Sequence, residues 1–201
     1  MRTLFQRLNE DLADVAEKAG RSLVHISNGG RGAGAGTIWH PDGLILTNAH
    51  VVGKRALTVT LSDGRVLPAR VLARDTSRDI AALSVDATGL PSIELGESKQ
   101  LQPGQVVLAL GHPFGIVGAV TTGIVIGNGS SSPEMRDSGR EWVMVSLNLR
   151  PGNSGGPLVD VNGRLVGINT IMTGPQAGMA VPVHVAKAFL DETLHSQQAA
   201  S

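Results

Sequence analysis

Between residues 22 and 183 the chain is a succession of short apolar runs. Glycine, proline, asparagine or aspartate closes them, and no helical period separates one run from the next. That rhythm points to an all-β fold, because a parallel α/β sheet requires strands that alternate with helices. The runs fall into two sets: residues 23–26, 37–39, 44–47, 57–61, 66–72 and 80–85, then residues 106–110, 120–126, 142–147, 157–161, 165–171 and 178–183. Pro41-Asp42-Gly43, Ser62-Asp63-Gly64 and Asn162-Gly163 are hairpin signals with a mechanism, since glycine takes the positive φ of the turn at no steric cost. Glycine, at 26 of 201 residues, shows no collagen-like period and supplies such turns.

Helical spacing appears only at the ends. Leu8, Leu12, Val15 and Ala19 place an amphipathic helix over residues 6–20, ended by Gly20. A second helical pattern runs from Pro182 through Val185, Phe189 and Leu194, with proline tolerated in its first turn. Residues 87–104 are polar and turn-rich and read as a connection, and residues 127–140 as a Gly/Ser-rich loop. Two antiparallel barrels or sandwiches follow. The expected segments are a helix over 1–21, a first β unit over 22–95, a connector over 96–104, a second β unit over 105–183, and a helix and tail over 184–201.

Composition removes several functions. Lysine plus arginine and aspartate plus glutamate both number 17, and no basic cluster forms a nucleic-acid footprint. The apolar runs are shorter than the roughly 18 residues of a membrane-spanning helix. Cysteine is absent, which excludes disulfides, thiol chemistry and thiolate zinc sites. There is no phosphate-binding loop, no G-x-G-x-x-G and no H-E-x-x-H, so neither cofactor nor metal is expected. Charged residues interrupt the first 20 positions, leaving no apolar stretch of a secretory signal. As written, the chain points to the cytoplasm; a chain trimmed of a leader would be periplasmic or otherwise extracytoplasmic.

Chemistry concentrates in Gly152-Asn153-Ser154-Gly155-Gly156. A serine flanked by glycines can expose its hydroxyl while the amides of Gly152 and Ser154 converge on one oxygen. Glycine-rich turns with a serine are also common without chemistry, so the partners decide. Among the histidines at 25, 40, 50, 112, 184 and 195, His50 ends the apolar run 44–47 and its Asn-Ala turn, where a side chain is held at a cleft. Asp79 precedes the apolar start Ile80-Ala81-Ala82-Leu83, whereas Asp75 lies in a polar run and suits a turn. The order His50, Asp79, Ser154 puts base and acid in the first set of strands and the nucleophile in the second.

These residues carry a resemblance. Thr47-Asn-Ala-His-Val-Val52, Arg78-Asp-Ile-Ala-Ala-Leu83, Pro151-Gly-Asn-Ser-Gly-Gly-Pro-Leu158 and Gly163-Arg-Leu-Val-Gly-Ile-Asn-Thr170 resemble the protease domain of HtrA/DegP-type, trypsin-like serine proteases. The matches run in order over residues 30–190. The resemblance implies two six-stranded antiparallel β-barrels and a serine endopeptidase working through an acyl-enzyme on unfolded or misfolded polypeptides. In that reading Ser154 attacks, His50 is general base and then acid, and Asp79 holds the imidazole tautomer. Gly152 and Ser154 form the oxyanion hole. Asn148 and Leu149, with Met172, border the specificity pocket, and Thr170, Ile171 and Met172 pair with substrate backbone. With no carboxylate there, the expected preference is for aliphatic residues before the cut.

Departures from the family pattern are local. Asn153 stands where pancreatic-type proteases carry the aspartate that pairs with a new N-terminus, so activity is expected to depend on loop ordering instead of zymogen cleavage. Ser146 and Arg150 replace residues usual beside the pocket. No PDZ domain follows in this sequence, and Phe5 is its one aromatic in the N-terminal segment that builds the family homotrimer. An esterase elbow would need acid and histidine after the serine, on a strand–helix scaffold. A non-catalytic protein-binding module that keeps the cleft is the other rival.

Overall fold

The computed structural model describes residues 3–29, 33–129, 140–172 and 177–198. Helix α1 (Leu4–Gly20) opens on a capping box: Thr3 Oγ1 accepts the Gln6 N–H at 3.3 Å, and the Thr3 N–H donates to Gln6 Oε1 at 2.8 Å. Strands β1 (Leu23–Ser27), β2 (Ala33–His40), β3 (Leu44–Thr47), β4 (Leu57–Thr60), β5 (Val66–Asp75) and β6 (Ile80–Val85) close a barrel in the order β1-β2-β3-β6-β5-β4. Strands β7 (Val106–Gly111), β8 (Ala119–Gly129), β9 (Trp142–Ser146), β10 (Pro157–Asp160), β11 (Leu165–Met172) and β12 (Gly178–Pro182) close a second, in the order β10-β11-β12-β9-β8-β7. Every ladder is antiparallel. Helix α2 (Val183–Gln198) ends the described chain.

The apolar runs lack a clean alternation because both faces of many strands are covered. On β3, Ile45 fills the first barrel with Val24, Ile26, Ile38, Val59 and Leu83, while its neighbour Leu46 faces the seam between the barrels. That seam gathers Leu23, Leu108, Leu110, Ile168 and, from α2, Phe189. The second barrel is filled by Val107, Val125, Val143, Val145 and Leu158. Each such side chain contributes roughly 1.5–3 kcal/mol by leaving water, and the seam locks one barrel against the other.

The expected elements differ from the observed ones at their ends. Strand β8 continues through Gly129, where a loop is expected from residue 127; the rest of that expected loop, residues 130–139, lies outside the described part. Pro182 ends β12 opposite Gly167, and α2 begins one residue later. Within the connector, Ser98–Gln100 form a 3₁₀ turn.

Candidate active site

His50 lies just after β3, in a turn whose Asn48 side chain donates to the Asp79 carbonyl at 2.9 Å. The His50 N–H donates to Asp79 Oδ1 at 3.1 Å, and His50 Nδ1 lies 3.0 and 2.9 Å from the two carboxylate oxygens. Against an ionised carboxylate Nδ1 carries the hydrogen, which leaves Nε2 as the basic atom. The imidazole side chain is 46% exposed and the carboxylate 16%, so the ring is reachable while the carboxylate is shielded.

Asp79 occupies the left-handed region at φ 52°, a conformation aspartate tolerates better than most residues. The Thr170 hydroxyl donates to its Oδ2. Burial, the largest single influence, pushes the carboxyl up; the hydrogen bonds from His50 and Thr170 and the nearby imidazole charge outweigh it and hold Asp79 below the usual carboxylate range.

Ser154 stands on two consecutive tight turns. The Asn153 N–H returns to the Arg150 carbonyl at 2.9 Å and the Gly156 N–H to the Asn153 carbonyl at 3.0 Å. Gly152 (φ 104°) and Gly155 (φ 87°) stand third in these turns. A Cβ at Gly155 would run into the Ala35 carbonyl and Thr47 Oγ1, and one at Gly152 into the His112 carbonyl, so both positions require glycine. The loop is tied across the seam: the Ala35 N–H donates to the Ser154 carbonyl at 2.8 Å, and Thr37 Oγ1 to the Gly155 carbonyl at 3.2 Å. The second barrel holds it through the Gly155 N–H to the Asn169 carbonyl (2.8 Å) and the His112 N–H to the Gly152 carbonyl (2.9 Å). Asn153 Oδ1 accepts the Arg150 N–H at 3.1 Å, so position 150 serves the turn through main-chain atoms that any residue but proline supplies.

The Ser154 hydroxyl donates to the Thr170 carbonyl at 2.8 Å, and among the described residues no hydrogen bond joins it to His50. Thr170 therefore touches both halves, with its hydroxyl on Asp79 and its carbonyl on Ser154. The N–H groups of Gly152 and Ser154 donate to no acceptor among the described residues. Strand β11 outruns its partner: β10 pairs no further than Ile168, while β11 continues to Met172.

His50 and Asp79 are thus together, and Ser154 joins them through Thr170. Asn148 is exposed; Leu149 is buried at 4% exposure, and a Cβ at Gly178 would press on it. Ile171 and Met172 are placed as backbone of β11. Sequence reasoning missed Asn48, although it lies in the quoted Thr47-to-Val52 motif. Nor did it single out His112. His112 is 8% exposed, its ring edge-on to His25 at 5.5 Å between centroids, and its Nδ1 accepts the Gly118 N–H at 3.2 Å. Burial first, then the His25 charge, lower it to about 4, against an opposing contact with the Val24 carbonyl.

Two closed barrels with a histidine–carboxylate pair on one and a glycine-framed serine on the other define the double-barrel class of serine hydrolases. The chain belongs to the trypsin-like peptidase domain family, whose model matches residues 34–168. It is 41% identical over 162 residues to the putative serine protease HhoB of Synechocystis, covering 78% of this chain and 39% of that protein. Serine protease HTRA1 of Xenopus laevis is 38% identical over 201 residues (93% and 44%). A probable periplasmic DegP-like serine endoprotease of Halomonas elongata is 41% identical over 168 residues (81% and 35%). The solved HtrA-type protease AlgW, with a tripeptide, superimposes with a TM-score of 0.83 at 31% identity, over 90% of this chain and 62% of that one. The chain spans less than half the length of these three curated relatives.

Proposed function

We propose that the domain hydrolyses peptide bonds of unfolded polypeptides, with Ser154 as nucleophile, His50 as general base and then acid, and Asp79 as the orienting carboxylate. The observation that carries this reading is the two-point seat of His50 on Asp79, through Nδ1 and the main-chain N–H, with the Ser154 loop fastened to the same barrel through Ala35. The edge of β11 that β10 leaves open beyond Ile168 suits a substrate strand, whose N–H would take the Thr170 carbonyl. That exchange releases the Ser154 hydroxyl towards His50 Nε2. The serine oxygen then attacks the scissile carbonyl as its proton passes to Nε2, and the amides of Gly152 and Ser154 receive the oxyanion. Collapse breaks the C–N bond with the proton delivered to the leaving amine, and water repeats the steps on the acyl-enzyme. Leu149, with no carboxylate beside it among the described residues, favours an aliphatic residue before the cut. The relatives named as serine protease HTRA1 and as a DegP-like serine endoprotease support a polypeptide as substrate.

A second reading is favoured by the Ser154–Thr170 hydrogen bond: a latent domain that binds peptide and turns over only when a segment occupies β11. A gel assay with casein separates the two. Cleavage by the wild type and none by Ser154→Ala supports the protease; cleavage that appears only when a β11-pairing peptide is added supports latency.

A further inference from the structure

The left-handed backbone of Asp79 is a conformation that persists only where its surroundings over-determine it. On the C-terminal side the constraint is plain, since Asn48 holds the Asp79 carbonyl and Ile80 enters β6. On the N-terminal side it is Arg78. Asp75 Oδ1 accepts the N–H groups of Ser77 (2.8 Å) and Arg78 (3.0 Å), and Asp75 Oδ2 accepts Arg78 Nε at 2.5 Å. The outer edge of the same guanidinium meets Glu192 of α2 in a two-pronged pair, Nη1 to Oε1 at 3.0 Å and Nη2 to Oε2 at 2.5 Å. Its carbon lies 5.6 Å from the centre of the Phe189 ring, one turn earlier on α2 and itself in the seam. The side chain is 28% exposed, with two carboxylates in its plane and an aromatic ring beneath it. Arg140, Glu141 and His184 line the cleft on its other side.

We infer that Arg78 is a positioning residue through which the C-terminal helix α2 holds the Asp79 carboxylate against His50. The inference rests on the reading of His50 and Asp79 as base and orienting acid, and it adds Glu192 and α2 to the parts that set the activity. Cutting the Glu192 arm leaves Arg78 ion-paired to Asp75 alone and loosely coupled to α2, and the carboxylate of Asp79 loses part of its fixed approach to Nδ1. The imidazole then loses its fixed orientation and presents Nε2 to Ser154 less often.

The test uses Glu192→Gln, which keeps size and one acceptor, and Arg78→Lys, which keeps charge but not the fork. Asp191→Asn, the neighbouring acid on α2, is the control. The first readout is the ¹H NMR resonance of the His50 Nδ1–H, which reports its hydrogen bond to Asp79 and needs no turnover. Both variants are expected to shift it upfield and broaden it by exchange with water, with the control unchanged. The second is peptide hydrolysis: kcat falls between about threefold and a hundredfold with KM unchanged. A His50 Nδ1–H resonance that stays at the wild-type position in both variants overturns the inference, including when the variants melt at a lower temperature, because that is what a purely structural ion pair would do. Wild-type protein without Ser154-dependent hydrolysis would remove the protease reading, and the NMR shift would still decide whether α2 positions the acid.

Discussion

Replacing Thr170 with valine removes one hydroxyl at nearly constant shape, and the structure says what that hydroxyl does. Thr170 is 3% exposed and its Oγ1 donates to Asp79 Oδ2. A hydrogen bond to a charged group contributes about 1.5–3 kcal/mol, and losing it lets the Asp79 carboxyl rise towards its ordinary range. The carboxyl keeps its contacts with His50, so the loss is partial. Because the folded state holds Asp79 below its ordinary value, the stability it contributes is present above about pH 3.9 and lost as the pH falls through the folded value. Thr170→Val is therefore expected to unfold about 1.5–3 kcal/mol more easily than the wild type at pH 7, with the gap narrowing steadily below pH 4. Urea denaturation at a series of pH values from 7 to 3 measures it. A gap of constant size across that range would refute the reasoning, since it would arise from packing; so would no gap at pH 7.

Three further outcomes follow from the geometry. His112, lowered to about 4 by burial, takes up no proton in the folded state until well below the unfolded value of about 6.5. Stability should then fall by up to about 3 kcal/mol between pH 6.5 and 4, and His112 should remain neutral by NMR at pH 5. Gly155→Ala meets both a left-handed backbone and the Ala35 carbonyl, whereas Gly64→Ala, at φ 88°, meets nothing within 4 Å. The second should cost about 1–2 kcal/mol of backbone strain alone. The first should cost more and abolish hydrolysis, as thermal melts and the casein assay would show. Asn153→Ala removes the acceptor of the Arg150 N–H and should lower kcat with only a small loss of stability, read by steady-state kinetics.

Much of the fold was legible because it depends on side-chain type. The apolar runs of β3 and β6 coincide with the observed strands, and the turns at Gly43, Gly64 and Gly163 all have positive φ. Strand β2 was read too short because its first half, from Ala33 to Gly36, has no bulk to register as apolar. The structure shows why it cannot: a Cβ at Gly36 would press on Val24, Ile26 and Ile45. Strand β5 runs on to Asp75 because Arg74 and Asp75 still pair with Ala81 and Ile80. Within the site, the histidine, carboxylate and serine carry recognisable chemistry and could be singled out. The hydrogen bond of Ser154 to the Thr170 carbonyl, the Ala35 tether and the seat of His50 on Asp79 through its N–H use main-chain atoms that every residue but proline has. No residue type advertises them. The Arg78–Glu192 pair was hidden for another reason, the 114 positions that separate its members.

The central claim, that His50 activates Ser154, is tested most directly by reacting the protein with a fluorophosphonate and locating the adduct by mass spectrometry. A single adduct on the peptide that contains Ser154, formed in the wild type and lost in His50→Ala, is the result this account requires. Labelling of Ser154 at an unchanged rate in His50→Ala, or an adduct on a different serine, would contradict it.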